Sequence, residues 1–512
     1  GIGTPVVPGS ATIVQTPTLD TITVNSPQAI IDWRPNDRNG TGTIDFLPAG
    51  LRALFTGAQD FTVLNRINPI DGQDLPIARL VALNGIINSQ VNGAQGGSVW
   101  FYSAGGILVG DNARINVGSL VLTSRAIDTN GGLFGSSGEI RFRSPSAGNG
   151  PVTVSQLAQI NATNRVPGSS YVALVAPRIV QAGSIRADGS VALVAAREAD
   201  IRINQGLFDI NVLVGTDDPQ GIVHTGRTGG PADTSGTYES RAYLVAVPRG
   251  QAMTMLLSGN IGFETASSVG VTANGAIILS AGATAGSQVI NGQLVAPSFA
   301  AGVPGGSITI GDTVFANDVS AFATDRISIA ATGQCSPCGS TSTTGTIRVN
   351  GSADFTAGNS ISLRAGVNQQ LLVSGDLALS AQNGGTGGTI VLTADSAGSP
   401  SGSFTSQGLI SVGNLLRLDS SGAGVFGVDN GNASGGTTSL DAVNGRIVAG
   451  DVVLDSNAFA SLANSTSGGR GIGGSASVSA QSGGSISVNS LSVSADGFGG
   501  SNGPVSNGVA LV

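Results

Sequence analysis

Residues 171–189 read YVALVAPRIVQAGSIRADG and are followed at once by SVALVAAREADIRINQG at 190–206. The run VALVA begins at Val172 and again at Val191, so one unit of the chain recurs after 19 residues. A unit that short cannot enclose a core, whereas units stacked on one another share one. The later half keeps the grammar in looser form. GAIILSAG, GSITIGD, GTIRVNG, NSISLRAG and GTIVLTAD all alternate Ile, Val or Leu with small or polar residues. Such alternation buries one face of a strand, and Gly, Asn and Asp at the ends supply tight turns. The expected fold is all-β: a right-handed parallel β-helix with an N-terminal cap and loops that leave the helix. With strands stacked ~4.8 Å apart, roughly 20 coils make a rod on the order of 100 Å long. Propeller blades would need a longer repeat.

Composition supports this reading. Glycine accounts for 79 of 512 residues, charged side chains for 11% and aromatics for 4%, against 40% apolar residues. A disordered chain would carry fewer aliphatics, and collagen would place glycine at every third position. All 23 basic residues are Arg, so chemistry that needs a lysine amine is excluded, Schiff bases and isopeptide staples included. The net charge of −8 is thinly spread, with no basic footprint for nucleic acid. No apolar run is long enough for a membrane-spanning helix. GIGTPVVPGSATIV reads as a mature N-terminus from which a signal has been removed. NGVALV reads as a strand in mid-coil, with the chain expected to continue, or to meet a partner, past Val512.

Three segments break the rhythm and are expected to loop out: 215–241, which holds His224; 286–306; and the cysteine segment ATGQCSPCGSTSTTG. His224 is expected in a solvated loop, and Asp217-Asp218 as a solvated turn. Cys335 and Cys338, flanked by strand and polar loop, read as a small disulfide staple. GGTGG and GGRGIGG read as turn or linker glycines, since no strand–helix phosphate context accompanies them.

The N-terminal quarter carries a further pattern. SPQAIIDWRPNDRNGTGTIDFLPAG (26–50), VLNRINPIDG (63–72) and GGSVWFYSAGGILVGDNARINVGSLVLTS (96–124) follow in order. Together they resemble the secretion domain of filamentous-haemagglutinin-like exoproteins, the two-partner secretion family. The matching elements are Ile31-Asp32-Trp33, Asn65-Arg66, Gly106-Ile107-Leu108-Val109-Gly110 and Val117-Gly118-Ser119-Leu120. Tyr102-Ser103-Ala104-Gly105-Gly106-Ile107 replaces the family's Asn-Pro-Asn-Gly-Ile turn. The resemblance covers about residues 20–205. It implies a secretion domain over 1–250, a β-helical shaft over 251–512, and display at the surface of a Gram-negative cell or release from it. It also implies an outer-membrane transporter partner with periplasmic recognition modules, and a surface receptor or glycan that the sequence does not name. Trp33, Asn65, Arg66, Gly106, Ile107, Gly110, Val117 and Gly118 are the secretion-motif candidates.

The leading reading is an exported adhesin or fibre protein that uses no cofactor. A self-assembling filament subunit is the alternative, and a polysaccharide-acting β-helix enzyme the second. The enzyme reading is the weaker one, because a glycosidase needs two facing carboxylates and the 31 acidic residues are scattered. Trp33 and Trp100 fit a core or cap better than a sugar platform. One expectation is testable directly. Mass spectrometry without reductant should show the two-proton loss in the peptide holding Cys335 and Cys338. The bridge is expected to be dispensable for the fold; free thiols would contradict the staple, and collapse on double Ser substitution would contradict its dispensability.

Overall fold

A computed structural model describes residues 3–36, 42–204, 206–231, 239–264, 276–282, 286–295, 305–331, 345–366, 368–383, 386–395, 408–423, 432–460, 469–499 and 504–512. Among them, strands are the only extended regular elements. Cys335 and Cys338 lie outside the described residues. Contacts divide the chain into two units. One comprises Gly1–Met253, Gly259–Ser280 and Thr284–Ala296; the other comprises Thr254–Ser258, Ala281–Ala283 and Pro297–Val512.

In the N-terminal unit the chain visits three parallel ladders in rotation. Ser98–Tyr102 lies in the first, Ile107–Val109 in the third and Arg114–Val117 in the second, before Ser119–Thr123 returns to the first. The repeated VALVA runs are neighbours in the first ladder, with Val172 beside Val191 and Leu174 beside Leu193. Like side chains stack in columns. Ile87, Ile115, Ile160 and Ile185 follow one another along the second ladder, all buried. Val81, Ile107, Val152, Ile179 and Ile222 do the same along the third. Each fully buried aliphatic contributes about 1.5–3 kcal/mol, which offsets the cost of ordering many short strands. The N-terminal end is antiparallel: Gly3–Pro5 pairs with Gln28–Trp33, and Ala11–Gln15 with Leu19–Val24.

The first ladder departs from the expected alternation. Every residue of Ser119–Thr123, Tyr171–Ala176 and Ser190–Ala195 is buried. Its inward face supplies Leu122, Leu174, Leu193 and Leu244, while its outward face lies under a second sheet. That covering sheet is antiparallel, in the order Ala126–Ile127, Glu139–Arg143, Glu198–Asn204, Leu207–Val214, Gly286–Ile290, Gln293–Leu294. Phe142, Ile201, Phe208 and Ile210 pack with Val121, Ala173, Ala192 and Tyr243. A ladder buried on both faces requires the near-continuous apolar run that VALVA provides.

Two of the expected loops are therefore corrected. Residues 215–241 include the ladder strands Ile222–His224 and Arg227–Pro231, because Ile222 extends the third ladder's apolar column. Residues 286–294 form a hairpin of the covering sheet. Its turn is Asn291-Gly292, with φ of 49° and 70°, the backbone an Asn-Gly hairpin turn requires.

The C-terminal unit also has three parallel ladders, and between Arg326 and Asp455 their strands alternate. Ser360–Ala365 and Gly345–Val349 bury every second residue. Gly388, Gly436, Gly474 and Gly508 stack one above another. A Cβ on Gly436, Gly474 or Gly508 would lie 1.9, 2.0 or 1.8 Å from the carbonyl oxygen of the preceding glycine. Gly388 of GGTGG and Gly474 of GGRGIGG thus carry close backbone approach.

Val109 is fully buried whereas Leu108 is only half-buried. Val109→Asp places a charge in the core and should cost roughly 3 kcal/mol or more, and Leu108→Asp under about 1 kcal/mol. Urea unfolding checks this; equal losses would overturn the assignment of faces.

Candidate functional site

Two of the elements that carry the resemblance, Ile31-Asp32-Trp33 and Asn65-Arg66, meet in space at the N-terminal end of the first ladder. Gln28–Trp33 and Thr62–Ile67 pair in parallel, with Ile31 beside Asn65 and Asp32 beside Arg66. On one face Trp33 Nε1 donates to Asn65 Oδ1 at 3.0 Å, and Asn65 Nδ2 donates to the Trp100 carbonyl at 3.2 Å. Asn65 is wholly buried, between Ile31 and Phe101 in an otherwise apolar column. A cavity of about 30 Å³ beside it is lined by Trp33, Phe55, Leu83, Ile87 and Phe101. On the other face Arg66 grips Asp32 through two bonds, Nε to Oδ1 at 2.6 Å and Nη2 to Oδ2 at 2.8 Å.

Beyond Arg66 lies Tyr102, whose phenol is pushed up by burial against the opposing pull of Arg125 and Arg66. The Arg125 side chain is itself buried, and burial lowers its guanidinium to about 10. It donates to Asn149 Oδ1 at 3.0 Å and Ser124 Oγ at 3.3 Å, and its buried Nε has no hydrogen-bond partner.

The remaining candidates sit in the turn that follows. Ile107 stacks between Val81 and Val152, and Val117 lies beside Ala162; Ile107 and Val117 are fully buried. Gly106 has φ of 100°, and a Cβ there would lie 2.5 Å from the Pro151 carbonyl. A Cβ on Gly110 would strike Asn84 Oδ1 at 1.7 Å, and one on Gly118 the Gly97 backbone at 2.6 Å. Of the eight candidates only Arg66 is partly exposed. The structure brings Trp33, Asn65 and Arg66 together and places the other five in tight packing between successive turns.

One polar feature was missed in the sequence, one was misread, and the Asp217-Asp218 turn gains partners. Asn161 donates to Asn116 and Asn116 to Asn88, both at 3.1 Å, forming an asparagine ladder on the second ladder's outer face. Its signal is an Ile-Asn pair recurring in three successive strands of that ladder. His224, expected in solvent, is fully buried beside Gln181, with Nε2 2.9 Å from Thr228 Oγ1. Asp217 pairs with Arg197 at 2.9 Å, and Asp218 Oδ1 accepts the amides of Gln220 and Gly221. Among the described residues, no group of three or more His, Cys, Asp or Glu is placed to hold a metal ion.

Aromatic residues join the first ladder to the covering sheet. Trp100 Nε1 donates to the Tyr171 hydroxyl at 3.0 Å, and Phe208 lies edge-on to both Tyr171 and Tyr243. Burial pushes the Tyr171 phenol up to about 12 and raises Tyr243 as well.

No protein-family model matches the sequence, and no curated protein matches it. Among solved structures it is similar to the secretion domain of HMW1 from Haemophilus influenzae, at 14% identity. That similarity covers 96% of this chain and 99% of that chain, with a TM-score of 0.42. A likeness this distant carries no argument about family or activity.

Three outcomes are expected. Asn65→Leu leaves the buried Trp33 indole without its acceptor and should cost about 1–3 kcal/mol in urea unfolding. Arg66→Ala, at a half-exposed pair, should cost about 1 kcal/mol or less. Because Tyr171 and Tyr243 ionise higher when folded, the stability they contribute is intact below pH 10. It should be lost as pH rises from 10 through about 12. Alkaline denaturation of Tyr171→Phe, set beside the unmodified chain, checks this. An identical decline in both would contradict the role of Tyr171.

Proposed function

We propose that this chain is an exported β-helical exoprotein of the two-partner type. It passes an outer-membrane partner barrel by means of its N-terminal unit and is displayed or released as an adhesin. The observation that carries the reading is the pairing of the resemblance motifs. Ile31-Asp32-Trp33 and Asn65-Arg66 are adjacent in register and joined by the Trp33–Asn65 and Asp32–Arg66 contacts. The three ladders visited in rotation support a parallel β-helix, and we take its hand to be right-handed, as nearly all parallel crossovers are.

The physics of export fits the ladders. Each ladder strand pairs with the strands one turn before and after it, so a chain emerging from its N-terminus can add turns in order. Mainly buried motif residues point to a framework role: they hold the first turns, and recognition falls to exposed backbone and strand edges.

Fusion of residues 1–296, behind a signal peptide, to an inert reporter tests the reading. This span contains the whole N-terminal unit, including the hairpin at 286–294 that a cut at 250 would remove. Reporter should reach the medium only when the partner barrel is co-expressed, and Asn65→Ala should reduce its yield. Release without any partner, or retention despite a working one, would overturn the proposal.

A further inference from the structure

The covering sheet is assembled from distant pieces of chain, and one of them, far along the sequence, is held by a short pairing. Glu198–Asn204 and Leu207–Val214 are consecutive in sequence and pair over seven register positions. Gly286–Ile290 joins the edge of Leu207–Val214 over only three: Ile210 with Val289, Asn211 with Ser287 and Val212 with Gly286. The register shifts between Ile210 and Asn211, so even this short pairing is interrupted. Val289 is the single buried apolar residue of the strand, while Ile290 is 48% exposed.

Side chains of the older strands compensate at the turn. Asp209 Oδ1 accepts the Asn291 amide at 2.6 Å, and Arg241 Nη1 donates to the Gly292 carbonyl. Arg241 is fixed in the first ladder, its amide bonded to Ser190 Oγ at 3.0 Å. Its side chain is only 4% exposed, and its one ion pair is to Glu239, which is 46% exposed. A guanidinium buried to that degree requires polar partners, and the Gly292 carbonyl is one that only the hairpin brings. Gly292 has φ of 70°, and a Cβ there would lie 3.0 Å from Arg241 Nη1 and from Leu207 Cδ2.

We infer that the hairpin Gly286–Leu294 is a strap: it opens and closes independently of the ladders, and the N-terminal unit is complete only when it docks over Arg241. A short, bulged pairing with one apolar anchor belongs to the low-stability end of a fold. The ladders, with both neighbours in place and buried columns, belong to the other. Under the export reading above, on which this one consequence rests, the strap is the last strand of the covering sheet to emerge. The unit then closes near residue 295. The strap itself is independent of how the chain leaves the cell.

Hydrogen exchange followed by mass spectrometry on the full chain tests the strap without reference to export. Gly292→Ala alters the turn, and the atoms nearest its Cβ are the tip of the Arg241 side chain and Leu207, not the ladder strands used as controls. It should speed exchange in Leu207–Val214 and Gly286–Leu294 by roughly 10- to 100-fold, the equivalent of one charge-assisted hydrogen bond. Tyr171–Ala176 and Ser190–Ala195 should stay within about twofold. A second variant covers the case in which Gly292→Ala fails to fold. Asn211→Cys with Ser287→Cys joins two facing positions of an antiparallel pair, close enough for a disulfide. Oxidation should slow exchange of the hairpin to the rate of the ladder strands, and reduction should restore it. Two results would overturn the strap. One is a uniform change across hairpin and ladder in Gly292→Ala. The other is a hairpin that already exchanges as slowly as the ladders before the crosslink forms.

Discussion

Within the parallel ladders, strands with a neighbour on each side take their backbone hydrogen bonds from the turn before and the turn after, and that constraint organises the rest of the chain. A parallel ladder holds only if equivalent residues of successive turns superpose, so side chains must form columns. The isoleucine column from Ile87 to Ile185 and the leucine column from Leu122 to Leu244 are its direct result. So is the asparagine ladder, in which an amide finds its partner in the copy of itself above and below. A polar residue entering a column must bring its own partner. Asn65 does so with Trp33, and His224 with Thr228.

The parallel architecture was legible because its signal is local and repeated. Val172 and Val191 face each other as their spacing implies. The covering sheet was less legible, although VALVA held the clue: a run with no polar position cannot belong to a strand with a wet face. Asn291-Gly292 was the other clue, a turn dipeptide between apolar residues. His224 misled because its burial depends on a column set by residues far away in sequence, Gln181 among them. The Trp33–Asn65 contact could not be read for the same reason. No local pattern states which strand lies beside which, and the two residues are 32 positions apart.

The motif residues show how a recognisable sequence pattern can be a packing pattern. Gly106 and Gly118 stand where a Cβ would run into backbone, Gly110 where it would displace the Asn84 side chain, and Ile107 and Val117 fill columns. Their identities follow from geometry alone. Whatever docks on this end of the chain meets mainly the consequences of those residues: the strand edges they hold in place, and the partly exposed Asp32–Arg66 pair.

The glycine column of the C-terminal unit acts as a one-way ratchet on strand register. Gly388, Gly436 and Gly474 are each preceded by another glycine and followed by Thr389, Thr437 and Ser475. A slip that brought the following residue into the column would drive its Cβ into a carbonyl oxygen. A slip the other way meets glycine and no clash. Alternation opposes it all the same, since a one-residue slip either way would turn Ile390, Leu392 and Ala394 outward to water. Hydrophobicity thus resists both directions and sterics adds a block in one, so a Ser- and Gly-rich sequence with thin apolar strands still has a single phase in which to stack.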